Sequence, residues 1–270
     1  MGKRNMILRI LLVFTLFLPL FLFTAAKTKA ESVLERVKTR GKLIAGVRYD
    51  FEPMGYKDEK GRVVGFDVEI MKYFAEKMKV ELELQPVTAQ NRIYMLSTDR
   101  VDIVAAGMTH QKKRDRLIDF SITYFMSGQT LLVKKGSGIK SYHDLADKVV
   151  TVVQGTTGER NIKQVQPKAK LLTFKLYPQA LLALKLGKAI ALTTDNTYCI
   201  TQARKNPELE VVGGLFSQEP YGLGVRENDS KWRDWVNFTL QEMWKDGSYK
   251  RIFRKIFGTN PDFQIEVWPD

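Results

Sequence analysis

Cysteine is nearly absent: Cys199 is the single one among 270 residues. An exported chain with one cysteine holds no internal disulfide. With no thiol near the N-terminus, a lipid-anchored cysteine there is excluded as well. Histidine is almost as scarce, and His110 and His143 show no zinc-ligand spacing. Long hydrophobic runs are also missing. The apolar stretch at residues 10–23 is 14 residues long, short of the roughly 20 that cross a bilayer comfortably. There is no internal repeat and no low-complexity segment. Hydrophobic content of 44% with 27% charged residues excludes general disorder.

What is present begins with a leader pattern. Lys3, Arg4 and Arg9 precede the apolar run, which is followed by Thr24-Ala25-Ala26 and Thr28-Lys29-Ala30. Small residues at the end and third place back are what signal peptidase requires. Residues 1–30 therefore read as a signal peptide, with an uncleaved anchor as the alternative. The leader holds five basic residues and no acid, so its removal lowers the formal charge from +13 to +8. A basic surface speeds encounter with anions but names no ligand. Export and the lack of a recognisable motif argue against nucleic acid. The expected location is an enclosed extracytoplasmic space, the periplasm.

The mature chain alternates strands and helices. Residues 41–47 read as a strand and 48–53 as the loop leaving it. Asp67 is a plausible N-cap of a helix whose apolar face is Ile70, Met71, Phe74, Ala75 and Met78. Residues 80–87 alternate as a half-buried strand, and Gln90-Asn91-Arg92-Ile93 opens a short helix. Residues 103–106 form a buried strand ending at Gly107. Thr109 stands where the next helix would begin, and Arg114 follows little more than one turn later. A helix N-terminus and a planar guanidinium both suit a carboxylate. The competing reading is a strand–turn–helix connection with a solvated basic face. A second strand–helix series runs from residue 129 to 212. A strand at 222–225 and two helices, 231–245 and 248–257, close the chain.

This order predicts an α/β fold with a mainly parallel sheet. Ligands of such sheets sit beyond the carboxyl ends of the strands. Arg48, the loop of residues 90–92 and the segment from Thr109 to Arg114 all fall at that edge.

Laid in order, these pieces resemble family 3 of the bacterial extracellular solute-binding proteins, the polar amino-acid receptors of ATP-driven importers. The resemblance runs from about residue 43 to 258. Its most specific piece is Gly65-Phe66-Asp67-Val68-Glu69-Ile70, supported by Asp119-Phe120-Ser121, Gly155-Thr156-Thr157 and Thr194-Asp195. Within the family, Val87-Thr88-Ala89-Gln90-Asn91-Arg92-Ile93 and Ser217-Gln218-Glu219-Pro220-Tyr221-Gly222 are most similar to glutamate/aspartate-binding members.

The resemblance implies a two-lobe, type II periplasmic binding protein-like fold with two hinge crossings. Lobe one would be residues 31–126 and 221–270, lobe two 130–213, and the hinge 127–129 and 214–220. It implies a monomeric receptor without cofactor that serves a membrane permease. Glutamate or aspartate is the favoured ligand and glutamine the next. Arg114 and Thr109, with backbone around Gly107 and the Thr156–Thr157 turn, would take the α-carboxylate. Asp195 would take the α-ammonium, unless it is a simple N-cap. Arg48 and Arg92 would hold a side-chain carboxylate, unless they are solvated loop residues. Phe51 would cover the ligand stem or serve lobe packing. Ala89 stands where those relatives carry serine, and Tyr177 falls near where they carry histidine. The rival activity is a dehydratase acting on prephenate- or arogenate-like acids. It would need a general acid, and Glu159 is the only carboxylate near the turn.

Overall fold

The computed structural model describes residues 31–269, so the expected leader, residues 1–30, lies outside the described residues. Helix α1 (Val33–Arg40) starts at Ser32, whose hydroxyl accepts from the Leu34 N–H, and stops at Gly41 in the left-handed region. Strand β1 (Lys42–Val47) follows, then a small sheet of β2 (Asp50–Phe51), β3 (Gly55–Lys57) and β4 (Val63–Val64). Helix α2 (Phe66–Met78) buries Ile70, Met71, Phe74 and Ala75 along one face. Strand β5 (Glu81–Pro86), helix α3 (Arg92–Ser97) and strand β6 (Ile103–Ala105) complete the first α/β series.

The chain then runs up β7 (Asp119–Ser127) and directly into β8 (Gln129–Lys134). After a 3-10 turn, Tyr142–Leu145, come β9 (Val149–Val153), α4 (Thr157–Val165), β10 (Lys170–Phe174), α5 (Tyr177–Lys185), β11 (Ala191–Asp195), α6 (Asn196–Lys205) and β12 (Leu209–Val212). The return strand is β13 (Glu219–Val225), and α7 (Ser230–Lys245) and α8 (Ser248–Phe257) close the fold.

Two five-stranded sheets result, ordered β5-β1-β6-β13-β7 and β10-β9-β11-β8-β12. Each has three parallel strands linked by helices, as parallel pairing requires. Each is then closed by antiparallel strands, β13 and β7 in the first and β8 and β12 in the second. The sheets are thus less parallel than the strand–helix order predicts, because the strands on either side of the passages between the sheets add to them antiparallel. The chain passes from one sheet to the other at Gly128 and again at residues 213–218. Glu219 and Pro220, expected in the crossing, already pair with Ser127 and Met126 in the first sheet.

Two local expectations fail. No helix begins at Thr109. The His110 N–H donates to Pro220 O at 2.7 Å and the Gly222 N–H to Met108 O at 3.1 Å. Pairing with β13 therefore holds residues 108–110 extended, and only turns follow before β7. Nor does Asp67 cap α2: Gly65 occupies that position at φ +131. A Cβ on Gly65 would lie 2.4 Å from Met54 O, so glycine is required there. Asp67 is instead fully buried, accepting from the Gly107 N–H at 2.8 Å and the Tyr124 hydroxyl at 2.7 Å. Burial pushes its carboxyl up to about 7 against those two bonds.

The larger core runs from the first sheet into the second, and in it Phe66 meets Phe253, Phe257 and Tyr249 edge-on. Trp232 is wholly buried, stacks on Trp235 at 5.3 Å and donates its indole N–H to Asp102 O at 3.0 Å. The second lobe packs Leu131, Val133, Val150, Val152, Ile162 and Ala191. Among the described residues, no helix is long and apolar enough to cross a membrane.

Two stability predictions follow from this packing. Trp232→Ala should lose about 3–5 kcal/mol of unfolding free energy in urea titration. Gly107 sits at φ +49, and a Cβ there would meet Phe51 Cε1 at 2.5 Å, whereas one on Gly187 at φ +73 meets nothing within 4 Å. Both alanine variants carry backbone strain, but Gly107→Ala should cost about 1–3 kcal/mol more by the same measurement.

Candidate ligand-binding site

The first lobe offers three guanidinium groups from three segments at the carboxyl edge of its parallel strands. Arg48 leaves β1 and is buried at 1% exposure, so the solvated-loop reading fails for it. Its Nε and Nη2 donate to Asp50 Oδ1 and Oδ2 at 2.8 and 2.9 Å. Its guanidinium lies 5.1 Å from the Tyr177 ring centroid and 5.7 Å from that of Phe51. Phe51 stacks on Tyr177 at 4.8 Å, joining the two lobes through an aromatic pair.

Arg92, first residue of α3, is 3% exposed and equally unlike a loop residue in water. Its Nη1 donates to Ala106 O at 2.6 Å and Gly107 O at 3.4 Å, while its Nε is buried without a partner. Burial, then the charges of Arg114 and Arg48, hold its pKa well below the usual arginine value. Arg114 is 8% exposed. It donates to Thr109 O at 2.8 Å and, across the lobes, to Gly155 O at 3.2 Å. Burial brings its pKa down to about 10, with Glu219 pulling the other way. Among the described residues, neither Arg92 nor Arg114 meets a carboxylate at ion-pair distance.

Some expected donors are already engaged. The Gly107 N–H is taken by Asp67, and the Thr109 hydroxyl donates to Glu219 Oε2 at 2.6 Å. Thr156 turns its hydroxyl to Val153 O at 2.7 Å. Thr157, at the start of α4, accepts from Gln129 Nε2 at 3.2 Å and is 5% exposed.

From the second lobe, Asp195 ends β11. It stands at the N-cap position of α6, but its side chain makes no capping hydrogen bond. Its Oδ1 accepts from Gln129 Nε2 at 3.2 Å, and it is 5% exposed. Burial, and next the negative Glu219, push its carboxyl up to about 7, against the Tyr221 hydroxyl and the Arg92 charge. Tyr177 opens α5, with its hydroxyl 2.7 Å from Thr194 Oγ1 and its N–H donating to Asp50 Oδ2 at 3.1 Å.

The ten candidate residues therefore meet in one inter-lobe region, with Thr156 turned to its own strand. Sequence reasoning gave no site role to Asp50, Gln129 or Glu219. Glu219 is 2% exposed and accepts from Thr109, Asn161 and Ser217, at 2.6, 2.7 and 2.8 Å. The motif around Glu219 was visible, but nothing in a sequence says that three donors from three segments converge on it. Beside this carboxylate lies a cavity of about 480 Å³ lined by Thr109, Gln111, Thr157, Asn161 and Glu219. Cys199 is packed at 0% exposure, and burial pushes its thiol well up, as for an inert cysteine.

Buried groups of both signs, with guanidinium N–H on one lobe and a carboxylate on the other, suit a small zwitterion better than a neutral solute. Comparison with known proteins agrees in kind. The glutamine-binding protein of Geobacillus stearothermophilus is 43% identical over 198 residues, covering 72% of this chain and 76% of that one. The glutamate/aspartate import solute-binding protein of Escherichia coli is 30% identical over 246 residues, covering 86% and 82%. A mutant of the arginine-binding protein ArgBP from T. maritima superposes with a TM-score of 0.81 at 35% identity, covering 84% of this chain and all of that one. The likeness confirms the type II two-lobe architecture. With residues 43–259 matching the description "Bacterial extracellular solute-binding proteins, family 3", the chain belongs to that family.

Proposed function

We propose that this chain is the amino-acid receptor of an ATP-driven importer, and that its ligand is an acidic amino acid, glutamate or aspartate. The observation that carries this reading is the buried Arg92 Nε without a partner, flanked by the charges of Arg114 and Arg48. An unmatched charged donor in a dry site costs about 1–3 kcal/mol or more, and a side-chain carboxylate offsets it best. Arg114 takes the α-carboxylate and Asp195 the α-ammonium. Phe51 and Tyr177 cover the stem, and Thr157 adds a donor from the second lobe. Thr109 contributes through its held backbone, because its hydroxyl proton belongs to Glu219.

The lobes, residues 31–126 with 221–270 and residues 130–213, close on the ligand by rotation about Gly128 and residues 213–218. The protein works as an extracytoplasmic monomer that hands its ligand to a membrane permease. Glutamine is the second reading, supported by the glutamine-binding relative, because an amide oxygen also accepts from Arg92. A dehydratase lacks support from the chain's own acids. Glu159 sits half-buried on α4 with Oε2 bound to the Gly155 N–H at 3.1 Å, not poised over a ligand.

Titration calorimetry over a panel of amino acids tests the reading. Glutamate should bind with a Kd of micromolar order or tighter, glutamine more weakly, and arginine without heat. Tighter binding of arginine than of glutamate contradicts it. Affinity should also follow the Asp195 carboxyl, which burial pushes up to about 7. Below that pH the carboxyl is protonated and has no charge for the ammonium. The glutamate Kd should therefore be about tenfold weaker at pH 6 than at pH 8, and flat above. Asp195→Asn should bind weakly at both pH values and lose this slope.

A further inference from the structure

Asp50 has no place in the reading above, yet it is built into the site from both lobes. Both its oxygens accept from Arg48, its Oδ2 also accepts from the Tyr177 N–H, and its side chain is only 9% exposed. Tyr177 is the first residue of α5, in the opposite lobe. Leu176, in the N-cap position of α5, has no side-chain oxygen to offer. A carboxylate of the first lobe therefore supplies the anion that a helix start in the second lobe favours. This charge also neutralises the one first-lobe guanidinium that stacks on the Phe51–Tyr177 pair. The remaining cation for a ligand side chain is Arg92, which feels Arg48 as a neighbour.

We propose that Asp50 is the specificity-determining residue that sets how strongly the site prefers an acidic over an amide side chain. The idea rests on the amino-acid reading above. The lining guanidinium groups of Arg48, Arg92 and Arg114 face the carboxyl groups of Asp50, Asp195 and Glu219, and only Asp50 is bound directly to one of them, Arg48. With Asp50 ionised, the pull on a second ligand carboxylate is limited to the local field of Arg92. Removing the Asp50 charge while keeping its shape leaves Arg48 unbalanced and turns the side-chain end of the site more positive. Asp50→Asn does this, because its amide oxygen can still accept from the Tyr177 N–H.

The experiment is calorimetry of the full mature chain with glutamate and with glutamine, reading the ratio of the two Kd values. Asp50→Asn should move that ratio about tenfold toward glutamate, the scale of one unscreened neighbouring charge. Asp50→Glu, which keeps the charge, should leave the ratio near that of the wild type. Adding Arg48→Met to Asp50→Asn should return it toward the wild-type value, because no free guanidinium is left to act. Equal loss or gain for both ligands in Asp50→Asn assigns Asp50 a purely structural role and overturns the inference. Wild-type protein that binds neither ligand overturns the amino-acid reading itself, and this assignment with it. A wild-type binder whose ratio does not move in Asp50→Asn overturns this assignment alone.

Discussion

A buried cation with an unmatched N–H is the constraint around which the site is arranged. Arg92 cannot turn to water, because α3 and the end of β6 enclose it and two backbone carbonyls hold one of its nitrogens. Those carbonyls belong to Ala106 and Gly107, whose turn is in turn fixed by Asp67 of α2. The signature segment at the start of α2 therefore acts on the site from behind. It shapes the turn whose carbonyls hold Arg92. Burying Asp67 is itself costly, as its raised pKa shows, and the Gly107 and Tyr124 donors offset part of that cost.

The first lobe supplies all three guanidinium groups together with the Asp50 and Glu219 carboxyls, and the second lobe adds Asp195. The three arginines come from segments beside the first sheet, and Asp195 comes from the end of a strand in the second. The halves meet through contacts that include Arg114 on Gly155 O, Asp50 on the Tyr177 N–H, Arg160 on Gln111, Asn161 on Glu219, the stacking of Phe51 on Tyr177 and Tyr198, and the Lys205–Glu52 pair at 2.6 Å. An exposed ion pair such as the last contributes about 0–1 kcal/mol. A ligand shifts a lobe equilibrium only by its differential affinity for the two states, so one that bridges both lobes favours closure. Glu219 stands at the pivot of this arrangement. It receives Thr109 from one lobe, Asn161 from the other and Ser217 from the crossing segment.

Much of this was legible in the chain. The strands at 129–134, 149–153 and 170–174 and the helix at 248–257 fall where apolar runs and flanking turns place them. Periodicity is a local signal, and these elements are locally determined. The failures are all non-local. Thr109 looks like a helix start, but β13, more than a hundred residues later, pulls its neighbours into an extended pairing. Asp67 has the residue type and position of a cap, but its partners lie at Gly107 and Tyr124. Asp50 reads as an ordinary loop acid until the second lobe brings the α5 N-terminus against it. Residue type indicated which side chains could carry charge, and only the folded contacts showed which charges were already matched.

The most direct measurement is a crystal structure of the protein with bound glutamate. The expected density places a side-chain carboxylate oxygen about 3 Å from Arg92 Nε. The ammonium should lie against Asp195 and the α-carboxylate against Arg114. A ligand whose side chain points away from Arg92, leaving that Nε still without a partner, contradicts the central claim.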